Sequence, residues 1–331
     1  MTKKVIITGG AGFVGHHLVN KIINSTDYEV IIIDKLSYAS FGYDRLRENA
    51  IIQQNERVKV FTADLCHKIP DGLAKEIGEN VEYIFHLAAE SHVDKSIEDP
   101  FSFIQANIIG THYILEFARK LPKLKNFVYF STDEVFGPAD KSTNYKEWDR
   151  YNSTNPYSAT KAGAEELCLA YANTFQIPLL ITHTMNLFGE RQHPEKYIPK
   201  VIKSVLDQKT VTIHADESLK IPGSRFYMHC DDLADAILYL ISLKQWQRDK
   251  VNIVGEVEID NLELAQTIAG FIGKPLNYEL VDYHSSRPGH DLRYSLDGSK
   301  LKELGWQTTD GFQKKLEQTV SWYLKNREWL L

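Results

Sequence analysis

"KVIITGGAGFVGHHLVNKI", residues 4–22, runs from strand-forming residues through three glycines into an apolar segment of helical period. Gly9, Gly12 and Gly15 stand at G-x-x-G-x-x-G spacing, and the periodic segment extends from Phe13 to Ile23. Glycine lets the backbone turn tightly and approach a diphosphate, whose charge is met by the N-terminus of the helix that follows. A glycine pattern alone is weak evidence; the strand before it and the helix after it give it weight. Asp34 then closes the next apolar run, about 20 residues further on, where a carboxylate can accept hydrogen bonds from an adenosine ribose. That carboxylate repels a 2′-phosphate, so the expected cofactor is NAD in preference to NADP. Gly9, Gly12, Phe13, Val14, Gly15, Asp34 and Lys35 are its expected contacts, joined by Asp64, Leu65 and Ala88 near the ends of later apolar runs.

Working outward, short β-branched or aromatic runs alternate with longer segments of helical period: "VIIID" at 30–34, "VKVFTAD" at 58–64, "YIFHLAA" at 83–89, "FVYFST" at 127–132 and "LLITHT" at 179–184. Repetition of this kind predicts right-handed crossovers and an α/β fold, a Rossmann-type doubly wound parallel sheet whose strands are buried on both faces. After about Gly189 the rhythm changes to loops rich in Pro, Gly and His, with helices expected over 231–244 and 260–272. Two lobes are therefore expected. Residues 1–188 form the NAD-binding domain, and residues 189–331 form a smaller α+β substrate-binding cap that can return one strand to the main sheet.

Bulk properties narrow the function. The 331 residues are 43% hydrophobic and 25% charged, ordinary for a globular enzyme. The net charge of −6, with no block of like charges, speaks against a broad cationic surface for nucleic acid or anionic membrane. Cys66, Cys168 and Cys230 are far apart, which argues against a disulfide framework and a zinc site and fits a reducing compartment. No apolar run approaches the ~18 residues of a membrane span, and the N-terminal run is too short for a secretory signal. A cytoplasmic protein without a metal is expected.

"NPYSATKAGAEELCLAYANTF" (155–175) carries Tyr157 and Lys161 four residues apart, on one face of a helix. An ammonium beside a phenol stabilises the phenolate and eases removal of a proton from an alcohol. Strand, glycine loop and Y-x-x-x-K in this order resemble the extended short-chain dehydrogenase/reductase superfamily. "DKLSYAS" (34–40), "HLAAESHVDKSIEDP" (86–100), "STDEVFG" (131–137), "NPYSATKAGAE" (155–165), "PEKYIP" (194–199) and "RPGHDLRY" (287–294) make the match more specific. Together they resemble the nucleoside-diphosphate-sugar 4,6-dehydratases of the dTDP-glucose type, over essentially the whole chain.

The resemblance implies a division of labour. Thr132, Tyr157 and Lys161 would activate the sugar 4-hydroxyl while C4 gives hydride to NAD, with Tyr157 and Lys161 also touching the cofactor. Glu134 would take the C5 proton as base, and a protonated Asp133 would donate to the departing 6-hydroxyl. Two close carboxyls in a partly desolvated site push their pKa values apart, as one acid and one base require. A nucleotide sugar also brings a diphosphate. The resemblance places Glu90 and Ser91 near the hexose, and Asn186, Lys196, Arg225, Asn252, Arg287 and His290 around the diphosphate and nucleoside. His86 and His92 are expected to be structural.

"MNLFGER" (185–191) and "SRFYMH" (224–229) depart from the dTDP-glucose pattern and flank the expected pocket, so dTDP-glucose, UDP-glucose and UDP-N-acetylglucosamine all remain open. Glu134 favours retention at C5, although C5 epimerisation on an unusual substrate stays an alternative. A nucleotide-sugar 4-epimerase shares everything except the acid pair, and a nonenzymatic NAD-binding protein would keep the fold alone. The superfamily implies a homodimer through helices over 100–120 and 155–176.

Overall fold

A computed structural model describes residues 2–48, 56–243, 245–283 and 291–331. Its centre is a seven-stranded, all-parallel sheet. The strands in chain order are β1 (Lys4–Thr8), β2 (Glu29–Asp34), β3 (Val58–Thr62), β4 (Val81–His86), β5 (Asn126–Thr132), β6 (Leu179–Thr184), β7 (Asn186–Phe188), β8 (Val211–Ala215), β9 (Ser224–His229), β10 (Arg248–Ile253), β11 (Glu258–Asp260) and β12 (Tyr278–Asp282). The main sheet has the order β10-β6-β5-β4-β1-β2-β3. Chain direction reverses its order between β1 and β4, the place where ligands of such sheets bind.

The apolar runs become buried strands where both faces are covered by helices; the edge strand β3 is the exception, with every residue half-buried or exposed. On one face lie helices Phe13–Ser25 and Cys230–Leu243, with Leu18, Ile22, Leu233 and Ile237 packed on Ile7 and Ile32. On the other, Gly110–Ala118 and Pro156–Phe175 cover Ile6, Ile84 and Tyr129. Each buried Leu or Ile side chain contributes roughly 1.5–3 kcal/mol. A third core, around Ile202, Leu264, Ile268, Leu316 and Tyr323, joins helices Tyr197–Leu206, Asn261–Ile272 and Phe312–Lys325. Two small sheets, β11-β9-β7 and β12-β8, accompany it.

Several boundaries differ from the sequence reading. The run expected as a strand over 83–89 is Val81–His86, because the chain leaves the sheet at Leu87 and the Ala88 N–H bonds the Thr8 hydroxyl at 3.2 Å. The third strand ends at Thr62, with Ala63 and Asp64 already in the loop beyond it. β10 returns from the later part of the chain to the edge of the main sheet, beside β6. Its first residues, Arg248 to Lys250, hide it from a search for apolar runs. The helix expected over 100–120 is broken: Pro100–Phe103 passes through a π-helical turn, Ile104–Ile109, before resuming at Gly110. Among the described residues no helix is long and apolar enough to cross a membrane.

Candidate active site

A groove crosses the carboxyl ends of β1, β2, β4 and β5. Gly9, Gly12, Phe13, Val14, Gly15, Asp34, Lys35, Asp64, Leu65, Ala88, Tyr157 and Lys161 all line it, as do Glu90, Ser91 and Lys196. Gly15 explains why the first turn tolerates no side chain: a Cβ there would stand 2.2 Å from the Gly9 carbonyl oxygen. The helix beginning at Phe13 has no acidic residue in its first turn, so its N–H groups remain available to an anion. Asp34 accepts from the Ala11 N–H at 3.0 Å and the Leu36 N–H at 2.8 Å. Burial raises its carboxyl pKa, against these N–H groups and the charges of Arg45 and Lys35. Narrow glycine turn, free helix N-terminus and strand-end carboxylate together fit a dinucleotide.

Across the same groove Lys35 Nζ reaches Glu90 Oε1 at 2.7 Å. The backbone of Glu90 is fixed by Asn107 in the π-helical turn, which accepts its N–H at 2.8 Å and donates to its carbonyl at 3.0 Å. Asn107 also donates to Thr160 Oγ1 at 2.9 Å, tying that turn to the helix of Tyr157. The amide thus meets two partners at once from within a π-helical turn, a feature frequent beside functional sites.

At the end of β5 the chain folds into a 3₁₀ turn, Asp133–Phe136, capped by Thr132, whose hydroxyl accepts the Glu134 N–H at 3.3 Å. Gly137 closes the turn at φ +79, and a Cβ there would lie 2.3 Å from the Asn152 carbonyl oxygen. Asp133 is 5% exposed; Thr132 donates to its Oδ1 at 3.0 Å, while its Oδ2 is buried without a partner. Burial first, and then the neighbouring Glu134 carboxylate, push Asp133 up to about 7. Half-buried Glu134 is also raised by burial, but the Asn155 side chain donates to its Oε2 at 3.1 Å and Arg225 and Lys196 oppose the shift. The turn therefore holds a protonatable acid beside a better-stabilised carboxylate.

Helix Pro156–Phe175 carries the other half of the site. Asn155 caps it reciprocally with Ser158, and Pro156 supplies the fixed first turn. Sequence reading missed the second task of Asn155, gripping Glu134, although the N-P-Y spacing marks it as a cap. Burial, and then the Glu134 carboxylate, hold the Tyr157 phenol above the usual tyrosine range, with Thr132 opposing the shift. Lys161 Nζ donates to the Phe130 carbonyl at 2.6 Å and sits 4.3 Å from the Tyr129 ring centre; burial pulls it down to about 8. Thr132, Asp133, Glu134, Tyr157 and Lys161 thus meet at one strand end.

The remaining expected substrate contacts are less uniform. Asn186 is exposed at the start of β7. Arg225 donates to the carbonyls of Ser224, Asp291 and Leu292 at 2.6–2.7 Å and stacks 4.7 Å from the Tyr294 ring centre. Asn252 is fully buried, and its amide donates to the carbonyls of Tyr145 and Asp297 at 2.9 and 3.1 Å. It has no face left for a substrate; its work is inside the fold. Arg287 and His290 lie outside the described residues. His86 is buried between Thr8 and Thr111 at 2.7 and 3.0 Å, pushed down to about 3 by burial and the Lys161 charge. His92 caps the helix Val93–Glu98 through the Lys95 N–H. Among the described residues no three His, Cys, Asp or Glu side chains converge in a way that could hold a metal.

Comparison with known proteins places this geometry in a family. The family model described as GDP-mannose 4,6 dehydratase matches residues 6–319. A dTDP-glucose 4,6-dehydratase of Escherichia coli is 36% identical, over 98% of this chain and 95% of its own length. A trifunctional UDP-glucose 4,6-dehydratase, 3,5-epimerase and reductase of Arabidopsis thaliana is also 36% identical, over 99% of this chain; the chain spans only 48% of that relative. The crystal structure of a dTDP-glucose 4,6-dehydratase from Streptomyces venezuelae, solved with NAD bound, superposes with a TM-score of 0.87 at 33% identity, covering 98% of each chain.

Proposed function

Because the chain belongs to the GDP-mannose 4,6 dehydratase family, of the extended short-chain dehydrogenases, we propose that it is an NAD-dependent nucleotide-sugar 4,6-dehydratase acting on a dTDP- or UDP-activated glucose-type sugar. The observation that carries this reading is the acid pair: Asp133, buried with a partnerless Oδ2 and raised well above the ordinary carboxyl range, beside Glu134 held by Asn155. A 4-epimerase needs the tyrosine, lysine and threonine but no second and third proton carrier.

NAD, when bound, supplies a reversible hydride acceptor. Tyr157, as the phenolate that the Lys161 ammonium stabilises, takes the proton of the sugar 4-hydroxyl and becomes the neutral phenol, with Thr132 beside it. The 4-ketone acidifies the C5 hydrogen, which Glu134 removes. Asp133 donates its proton to the 6-hydroxyl, which leaves as water. Glu134 then returns its proton to C5, and hydride returned to C6 gives the 4-keto-6-deoxy sugar with no net oxidation. Residues 189–331, apart from β10 and the helix Cys230–Leu243 that covers the main sheet, would form the nucleotide-sugar cap, with Arg225 and Lys196 supplying positive charge toward the acids and the diphosphate.

Phe101, Ile104 and Ile109 are exposed apolar residues on the segment 100–118, which supports a homodimer through that face and the helix Pro156–Phe175. Three free cysteines support a reducing, cytoplasmic location, which cell fractionation checks. The chemistry is tested by incubating the protein separately with dTDP-glucose, UDP-glucose and UDP-N-acetylglucosamine in D₂O and reading products by NMR. A 4-keto-6-deoxy product bearing deuterium at C5 is expected from a glucose substrate. A 4-epimer without ketone, or no turnover of any of the three, would overturn the reading.

A further inference from the structure

Behind the site lies a charged cluster that the reaction above does not use. Glu165, 0% exposed, sits one helical turn after Lys161. The two side chains land on consecutive residues of β5: Lys161 on the Phe130 carbonyl, Glu165 Oε1 on the Ser131 hydroxyl. On its far side Glu165 Oε2 accepts from Tyr151 and faces His183 Nε2 at 3.1 Å and Lys250 Nζ at 3.4 Å. Lys250, 3% exposed, comes from the returning strand β10 and also bonds Tyr151. His183 Nδ1 faces Asn252 Oδ1 at 2.9 Å, which gives that buried amide its purpose. The result is a buried row of cation, anion and cation running from the catalytic lysine to the sheet edge.

Burying such a row is costly unless each charge is paired and hydrogen-bonded, so it is weak evidence for stability. Its placement beside Lys161 suggests another use. We propose that Glu165 is a positioning residue for the reaction inferred above, a fixed carboxylate that keeps the buried Lys161 ammonium charged and seated against β5, with Lys250 and His183 holding the carboxylate in place. Other ionisable groups facing the row do not compete. Tyr129 and Cys168 are held protonated by burial, and His86 is held neutral. Tyr151 and Tyr157 are both raised, by burial first. Glu165 itself stays ionised, down at about 2, because His183, Lys250 and Ser131 outweigh its burial. Burial lowers Lys161, and Glu165 is the first group that opposes the fall.

The test is Glu165→Gln, which keeps the shape and removes the charge, with Glu165→Gln/Lys250→Met as a second variant that leaves no unpaired buried lysine. Lysine labelled with ¹³C at Cε reports the Lys161 titration by NMR in the NAD-loaded, substrate-free protein, assigned by loss of its resonance in Lys161→Arg. In either variant the Lys161 midpoint is expected to fall by roughly 1 unit, the lower end for loss of an opposite charge at 4–6 Å. The alkaline limb of the kcat profile should move down with it, while kcat below that limb stays within about threefold. An unmoved midpoint in a variant with wild-type circular dichroism and melting, or an equal loss of kcat at every pH, would overturn the proposal. A wild-type chain that turns over no nucleotide sugar, with the midpoint still shifted in the variants, would instead remove the reaction assigned above.

Discussion

Replacing Asp133 by Asn should make the protein more stable in base and nearly inactive, and the size of both effects follows from one carboxyl. Asp133 rises from the ordinary 3.8 to about 7 in the fold. An acid raised in this way binds its proton more tightly folded than unfolded, so its contribution is fully present below 3.8 and is lost as pH climbs to about 7. At 1.36 kcal/mol per unit, the loss is about 2 kcal/mol by pH 5 and about 4 kcal/mol by pH 8. Asn does not titrate. Its amide keeps the bond from Thr132, but an NH₂ where the partnerless Oδ2 now lies costs about 1–3 kcal/mol. That cost is the same at both pH values and cancels in the difference. The advantage of Asp133→Asn over wild type should therefore grow by roughly 2–3 kcal/mol between pH 5 and pH 8, measured by urea unfolding at one protein concentration. Loss of the general acid should lower kcat by about 10²–10⁴. A stability difference that stays flat across that pH range would refute the buried, proton-holding role of Asp133.

The other residues give sharper, smaller tests. Glu134→Gln should still bind NAD yet fail to exchange the C5 hydrogen with solvent; normal exchange would reassign the base. Gly15→Ala forces a Cβ into the Gly9 carbonyl and should abolish NAD binding in calorimetry, so retained affinity would contradict the tight turn. Lys35→Ala removes the ion pair across the groove and should speed NAD release about two- to fivefold at low salt, an effect erased in 1 M salt. Ile104→Arg on the exposed apolar face should convert a dimer to monomer in light scattering, and an unchanged mass would place the interface elsewhere.

What the sequence made legible was whatever is encoded locally. Strand runs, the glycine loop, Asp34, and the Tyr157–Lys161 spacing are each read within a single turn or strand, and the groove gathers every residue expected to touch the cofactor. The acid pair was legible too, because Asp133 and Glu134 are adjacent. Features built from distant partners were hidden. Glu165 meets Lys250 across 85 positions of chain, and nothing near either residue signals a buried charge. β10 was obscured because its buried lysine makes a strand of the main sheet look like a surface loop. Asn252 was read as a ligand when its partners His183, Tyr145 and Asp297 lie far off in sequence. The π-helical turn at 104–109 leaves no mark in apolar spacing, so the clamp of Asn107 on Glu90 exists only in the folded chain.

The return of β10 also bears on how such a chain could be rebuilt. β6 leaves the sheet at Thr184 and β10 re-enters at Arg248, which lies beside Leu179 at the other end of the same strand. The stretch between them is an insert whose two ends are roughly 16 Å apart, five residues of strand rise. Helix Cys230–Leu243 near its end covers Ile7 and Ile32, so only the part before that helix can be exchanged with all seven strands still paired and covered. Lineages and engineers alike could then trade that part as a cassette, altering what is recognised without reopening the sheet that performs the chemistry.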